Sequence, residues 1–205
     1  MRIVDNIERQ IRQSEAGSLF FVSDFATSGN DVFISRLLSG FVTAGLLCRL
    51  SVGIYYKPVM TRLGVLYPEV SEIVKAISRR DNAQILPTGE TAQNMLGLST
   101  QMPLNYIYLT SGSARKLTIG PKTITFKRCV PKNFACRNEF LAILIQALKS
   151  IGQDRITDEH KIIIKGVLKN NLPIESLEDD LRTAPVWVRR IISNIVKEME
   201  NEKVD

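Results

Sequence analysis

Apolar residues in the first third of the chain recur at helical spacing. Ile3, Ile7 and Ile11 fall four apart, with Val4 beside them and Arg9 and Arg12 on the outer side, which predicts a helix over 3–14 stopped by Gly17. Phe20, Phe21 and Val22 form a short apolar stretch. Ser23 and Asp24 then offer an N-cap for a brief second helix holding Phe25 and Ala26. A turn at Gly29, Asn30 and Asp31 opens a third helix over 31–44, whose stripe is Ile34, Leu37, Leu38, Phe41 and Val42 and whose end is Gly45. The period then changes. Residues 46–50 and 54–56 are strand-length runs around a turn at 51–53, and Pro58 closes the second.

Three short helices followed by a hairpin predict a winged helix-turn-helix over residues 1–62. In such a module the third helix buries one face on the first two. The other face is left for a major groove, with the hairpin beside it. Its outward positions are Asp31, Ser35, Arg36, Ser39, Gly40 and Thr43, so one cation is expected there, joined by Arg49 and Lys57 on the hairpin and Arg62 beyond it. Arg36 is placed to read a guanine edge, with Asn30, Ser35, Ser39 and Ser51 reaching bases or phosphates. Asp31 suits the helix dipole better than DNA. So few cations imply modest affinity for one copy, and specific binding is expected from paired copies on repeated half-sites.

Residues 63–205 read as a mixed α/β module followed by a helical region, giving an α+β fold class for the whole chain. Helices are expected over 69–80 and 90–96, and strands over 83–86, 106–110, 115–119 and 122–130, the last two joined by Gly120 and Pro121. In that hairpin Leu117, Ile119, Ile124 and Phe126 alternate with polar residues, so one face should pack while Lys116 and Lys127 face solvent. Helices follow over 138–151, 157–170, 174–182 and 185–199, with a break at Leu172 and Pro173.

Charge adds a second candidate. The net charge is +6, but residues 1–62 hold seven Lys/Arg against five Asp/Glu, and residues 131–205 hold twelve of each. From 115 to 137 there are seven basic residues and no acid. Arg115, Lys116, Lys122, Lys127 and Arg128 are therefore expected to form a second basic site for a polyanion or an acidic protein surface, with a simply solvated face as the plainer alternative.

Other chemistry is thin. The sequence holds no phosphate-binding glycine loop and no nucleophile elbow. His160, the single histidine, lies among Asp158, Glu159 and Lys161 and reads as a solvated side chain. Cys129 and Cys136 lack zinc spacing, Glu178, Asp179 and Asp180 read as the wet side of a helix, and Trp187 reads as a packing anchor. No catalytic residue, metal or cofactor is expected. The longest greasy run, 140–145, is broken by Gln146 and Lys149, so no membrane span is expected. The charged stretch 1–8 lacks the apolar core of a signal peptide, which points to the cytoplasm.

Several strings together resemble a known bacterial family. GSLFFVSDF at 17–25, RLLSGFVTAG at 36–45 and RLSVGIYYKP at 49–58 resemble the N-terminal winged helix of AbiEi-type antitoxins of type IV toxin–antitoxin systems. PTGETAQNMLGLSTQ at 87–101, YLTSG at 108–112, QALKSIG at 146–152 and RTAPVW at 182–187 are similar to the modules that follow in a related bacterial family. The resemblance implies a non-enzymatic regulator that binds double-stranded operator DNA and represses its own operon. It further implies that the remainder counteracts a toxin of the nucleotidyltransferase type without a stable complex. The chain departs from the pattern at Gly40, Thr43, Ala44 and Val52, where relatives carry more Arg or Lys. A protein-interaction adaptor, using the same helix and hairpin for docking or dimerisation, is the rival reading.

Overall fold

The computed structural model describes residues 3–62, 64–171 and 177–202. Grouped by contacts, the chain forms two units: residues 1–80 with the hairpin tip 117–121, and residues 81–116 with 122–205. Residues 64–80, expected in the second module, group with the first. The protein is a mixed α+β fold with small sheets. Among the described residues no helix is long and apolar enough to cross a membrane.

In the first unit, α1 (Ile3–Gln13), a 3-10 segment (Val22–Ser28) and α2 (Asp31–Thr43) surround a core of Ile7, Ile11, Phe25, Ile34, Leu38 and Phe41. The helical stripe thus does what its spacing predicts, since i and i+4 share a face. Asn30 caps α2 by accepting the Phe33 amide at 2.8 Å. At the other end Gly45 takes φ +73°, and the Gly45 and Leu46 amides bond the Val42 and Phe41 carbonyls at 3.0 and 2.9 Å. That pairing needs a left-handed residue at the turn, which glycine adopts without a Cβ penalty.

The chain then enters β2 (Cys48–Ser51) and β3 (Ile54–Tyr56), joined through Val52 and Gly53. The apolar stretch at 19–21 is a strand, β1 (Leu19–Phe21), which pairs antiparallel with β3 and makes the sheet order β1-β3-β2. A second hairpin, β4 (Val59–Thr61) and β5 (Gly64–Leu66), precedes α3 (Val70–Asp81). Its strands are too short and too exposed for an alternation to show in the sequence.

In the second unit β6 (Ile85–Thr88), β7 (Asn105–Thr110), β8 (Arg115–Ile119) and β9 (Lys122–Arg128) form a sheet of order β6-β7-β9-β8. β7 runs parallel to β9, and Tyr108 stacks on Phe126 with ring centroids 5.8 Å apart. α4 (Gly89–Met95) lies between β6 and β7 in the chain. The core centres on α5 (Glu139–Ile151), where every residue from 141 to 148 is buried. Around it pack Ile164 and Leu168 of α6 (Asp158–Asn171), Leu177 and Leu181 of α7 (Leu177–Leu181), and Val188, Ile192 and Ile195 of α8 (Val186–Asn201). A helix apolar on all sides must be enclosed on all sides, and α5 is the pillar of this unit. The expected break at Leu172 and Pro173, and the first residues of the helix expected over 174–182, lie outside the described residues.

Candidate nucleic-acid interface

The face of α2 opposite its buried stripe is open. Asp31, Val32, Phe33, Arg36, Ser39, Gly40 and Thr43 are exposed, and Ser35 is half-buried. A Cβ built at Gly40 would meet nothing within 4 Å. Ser39 donates to the Ser35 carbonyl at 2.8 Å, and its hydroxyl lies 3.4 Å from that of Tyr55 on β3. Tyr55 is fully buried, so this contact ties the edge of the α2 face to the sheet. Arg36 is exposed and has no ion pair among the described residues. The open face therefore carries one unopposed guanidinium among small side chains.

The remaining expected contacts divide. Arg49 is exposed on β2, its Nε donating to the Ser51 carbonyl at 3.3 Å. Val52 at the hairpin turn is 83% exposed. Lys57 is committed elsewhere: its Nζ donates to the carbonyls of Arg12 and Ser14, each at 2.6 Å, closing the end of α1. Asn30 is engaged as the cap of α2. On α1, Arg12 pairs with Glu8 at 2.7 Å. Arg36 and Arg49 are the two candidates left with a guanidinium on the exposed surface and no ion pair among the described residues.

Strand alternation splits the second basic stretch. Lys116 and Lys127 are exposed, and Leu117, Ile119, Ile124 and Phe126 are buried, as their period of two requires. The same period puts Lys122 and Arg128 in phase with Ile124 and Phe126, at the two ends of β9. Arg115 forms an ion pair with Asp81, the side chains only 21% and 18% exposed. Lys122 sits 6.0 Å from the ring centroid of Tyr106. Five cations adjacent in sequence are thus dispersed over two faces, and two already have partners.

A cavity of about 760 Å³ in the first unit has the wrong sign for a polyanion. Glu15, Asp24, Glu69 and Glu72 line it together with Arg79 and Arg80. Asp24 accepts the Phe21 amide at 2.8 Å, and burial pushes its carboxyl above the usual range. His160 is a helix-start residue: its Nδ1 accepts the Thr157 amide at 3.2 Å, and its own amide donates to the Thr157 hydroxyl.

A family described as being of unknown function, DUF6088, matches residues 6–176. No curated protein matches the chain. Among solved structures, the crystal structure of the RV2827C protein from Mycobacterium tuberculosis is similar with a TM-score of 0.52 at 14% identity, over 96% of this chain and 75% of that one. At that identity the likeness concerns the fold alone.

Proposed function

The chain belongs to the DUF6088 family, whose function is unknown, and from that starting point we propose that it is a DNA-binding transcriptional regulator, with residues 1–62 acting as a winged helix-turn-helix. The order α1, 3-10 segment, α2 and β2–β3 hairpin supports this, with β1 tying the hairpin to the helices. The observation that carries the reading is the open face of α2, with Arg36 on it, free of ion pairs among the described residues, and Arg49 on the adjoining hairpin. Ser35, Ser39, Gly40 and Thr43 are short enough to let the helix backbone approach a groove closely. Ser51, Asn30 and Lys57 contribute mainly by shaping the turn, the cap and the end of α1.

Gel shifts with the DNA upstream of its own gene test the reading. Arg36→Ala and Arg49→Ala are each expected to weaken binding about tenfold. Gly40→Lys adds a cation to open space and is expected to tighten binding and steepen the salt slope by about one. Binding unchanged in all three variants would remove this face from the interface.

The antitoxin role rests on the resemblance to AbiEi-type proteins and is part of the proposal. The second unit would counteract a nucleotidyltransferase toxin without a stable complex. Co-expression with a nucleotidyltransferase encoded beside this gene is expected to restore growth, with no co-purification. A specific observation favours the adaptor reading: Val32, Phe33 and Val52 are 60%, 41% and 83% exposed around the same face. Light scattering separates the two, since an adaptor pairs with protein and ignores oligonucleotides.

A further inference from the structure

The second unit holds a cavity of about 460 Å³, within the range of small-ligand sites. Its walls are the 3-10 turn Pro131–Phe134, one face of α5 and the segment that starts α8. Four cationic side chains line it: Lys132, Lys149, Arg182 and Arg189. No Asp or Glu is among the described residues lining it. Arg182 pairs at its exposed tip with Asp179 at 3.2 Å. Asp180, buried in this region, is engaged by the Arg137 and Asn138 amides at 3.0 and 3.2 Å.

Two further observations give this cavity the character of a built site. The Nε of Arg189 is buried with no hydrogen-bond partner among the described residues, so the guanidinium is held at the cavity wall without an internal acceptor at that nitrogen. Gln146 is only 5% exposed and lines the cavity; the hydrogen bond it accepts, from Thr88 at 3.2 Å, uses its carbonyl oxygen and leaves its amide N–H groups as donors. Pro185 and Val186, also in the lining, begin α8 with no side-chain cap. The free amides of that first turn add positive potential. Ala142, Ile145 and Ala184 supply an apolar floor.

We propose that this cavity binds the phosphoryl group of a small metabolite, a free phosphate or a phosphomonoester of up to mononucleotide size. Arg189 and Lys149 hold the oxygens and Gln146 adds a neutral donor. Size favours a small molecule over a nucleic-acid backbone, and no aromatic ring is among the described residues lining the cavity, so the phosphoryl group is the part that is read. This assignment does not depend on the DNA-binding reading, which concerns the other unit.

Isothermal titration of the full chain at low salt tests it, with inorganic phosphate, a nucleoside monophosphate and the matching nucleoside as probes. Phosphate, the monophosphate or both are expected to bind, and the nucleoside is not. Phosphate as tight as the monophosphate means the phosphoryl group alone is read; a tighter monophosphate means the ester's remainder fills the floor. Lys149→Ala, an exposed position, and Arg189→Gln are each expected to weaken binding about tenfold. Arg190→Ala, exposed and outside the lining, should leave it unchanged. Absence of binding by both phosphoryl probes, equal binding by all variants, or displacement of the monophosphate by a single-stranded oligonucleotide at comparable concentration overturns the proposal. Should Arg189→Gln fail to fold, Lys149→Ala decides alone.

Discussion

The hairpin β8–β9 and the α5–α8 cavity are both basic, but they are basic in opposite ways. The hairpin draws its cations from one uninterrupted stretch of sequence, and the strand period then scatters them: Lys116 and Lys127 outward, Arg115 onto Asp81, Lys122 beside Tyr106. The cavity draws Lys132, Lys149, Arg182 and Arg189 from distant positions, and the packing of helices brings them to one opening. Charge density along a chain is therefore a poor guide to the field a ligand meets. That field depends on which side chains share a face and which have partners.

Four measurements would sharpen or break this contrast. The largest effect is expected at Asp180, which is 5% exposed and accepts two backbone amides ahead of α5. Asp180→Ala leaves both donors without their acceptor and should cost about 3 kcal/mol in urea unfolding. A negligible loss would mean that the cavity wall is held by something other than this clasp.

Next is Cys136, which lines the cavity. Burial, aided by the Asp180 charge, pushes its thiol from 9.0 up to about 11. The thiolate is the nucleophile, so alkylation at pH 8 should run about a hundredfold slower than for a free thiol. Rates should climb as pH approaches 11. Free-thiol rates at pH 8 would show the cavity to be as open as the hairpin.

Third, Arg115→Ala removes a half-buried ion pair and should destabilise by about 1–2 kcal/mol. Smallest, Lys116→Ala and Lys127→Ala should each shift stability by less than about 0.5 kcal/mol. They should also leave phosphoryl binding in the cavity unchanged. An effect of Lys116 as large as that of Arg115 would erase the distinction between solvated and engaged cations.

The same contrast separates what could be read in the sequence from what could not. The stripe Ile34, Leu38 and Phe41 announced α2 because a helix repeats every 3.6 residues and the core sees one face. The alternation of Leu117 and Ile119 with Lys116 and Thr118 announced β8 in the same way. Asn30 was legible as part of a capping turn, but the grip of Lys57 on the end of α1 was not, since the carbonyls of Arg12 and Ser14 lie far from it in sequence. β4 and β5 carry no sequence signature because Met60, Val65 and Leu66 are exposed, so no alternation of burial marks them. The cavity is illegible for a further reason: Lys132, Lys149, Arg182 and Arg189 lie far apart in sequence, and only the fold brings them to one opening.

Lys57 also bears on how the first unit is held together. Its ammonium is a fastener between the third strand of the small sheet and the first helix, so its place is set by the carbonyls it holds rather than by a ligand. Acylating that amine would keep every outward-facing cation of the module in place while unlatching the helix from the sheet.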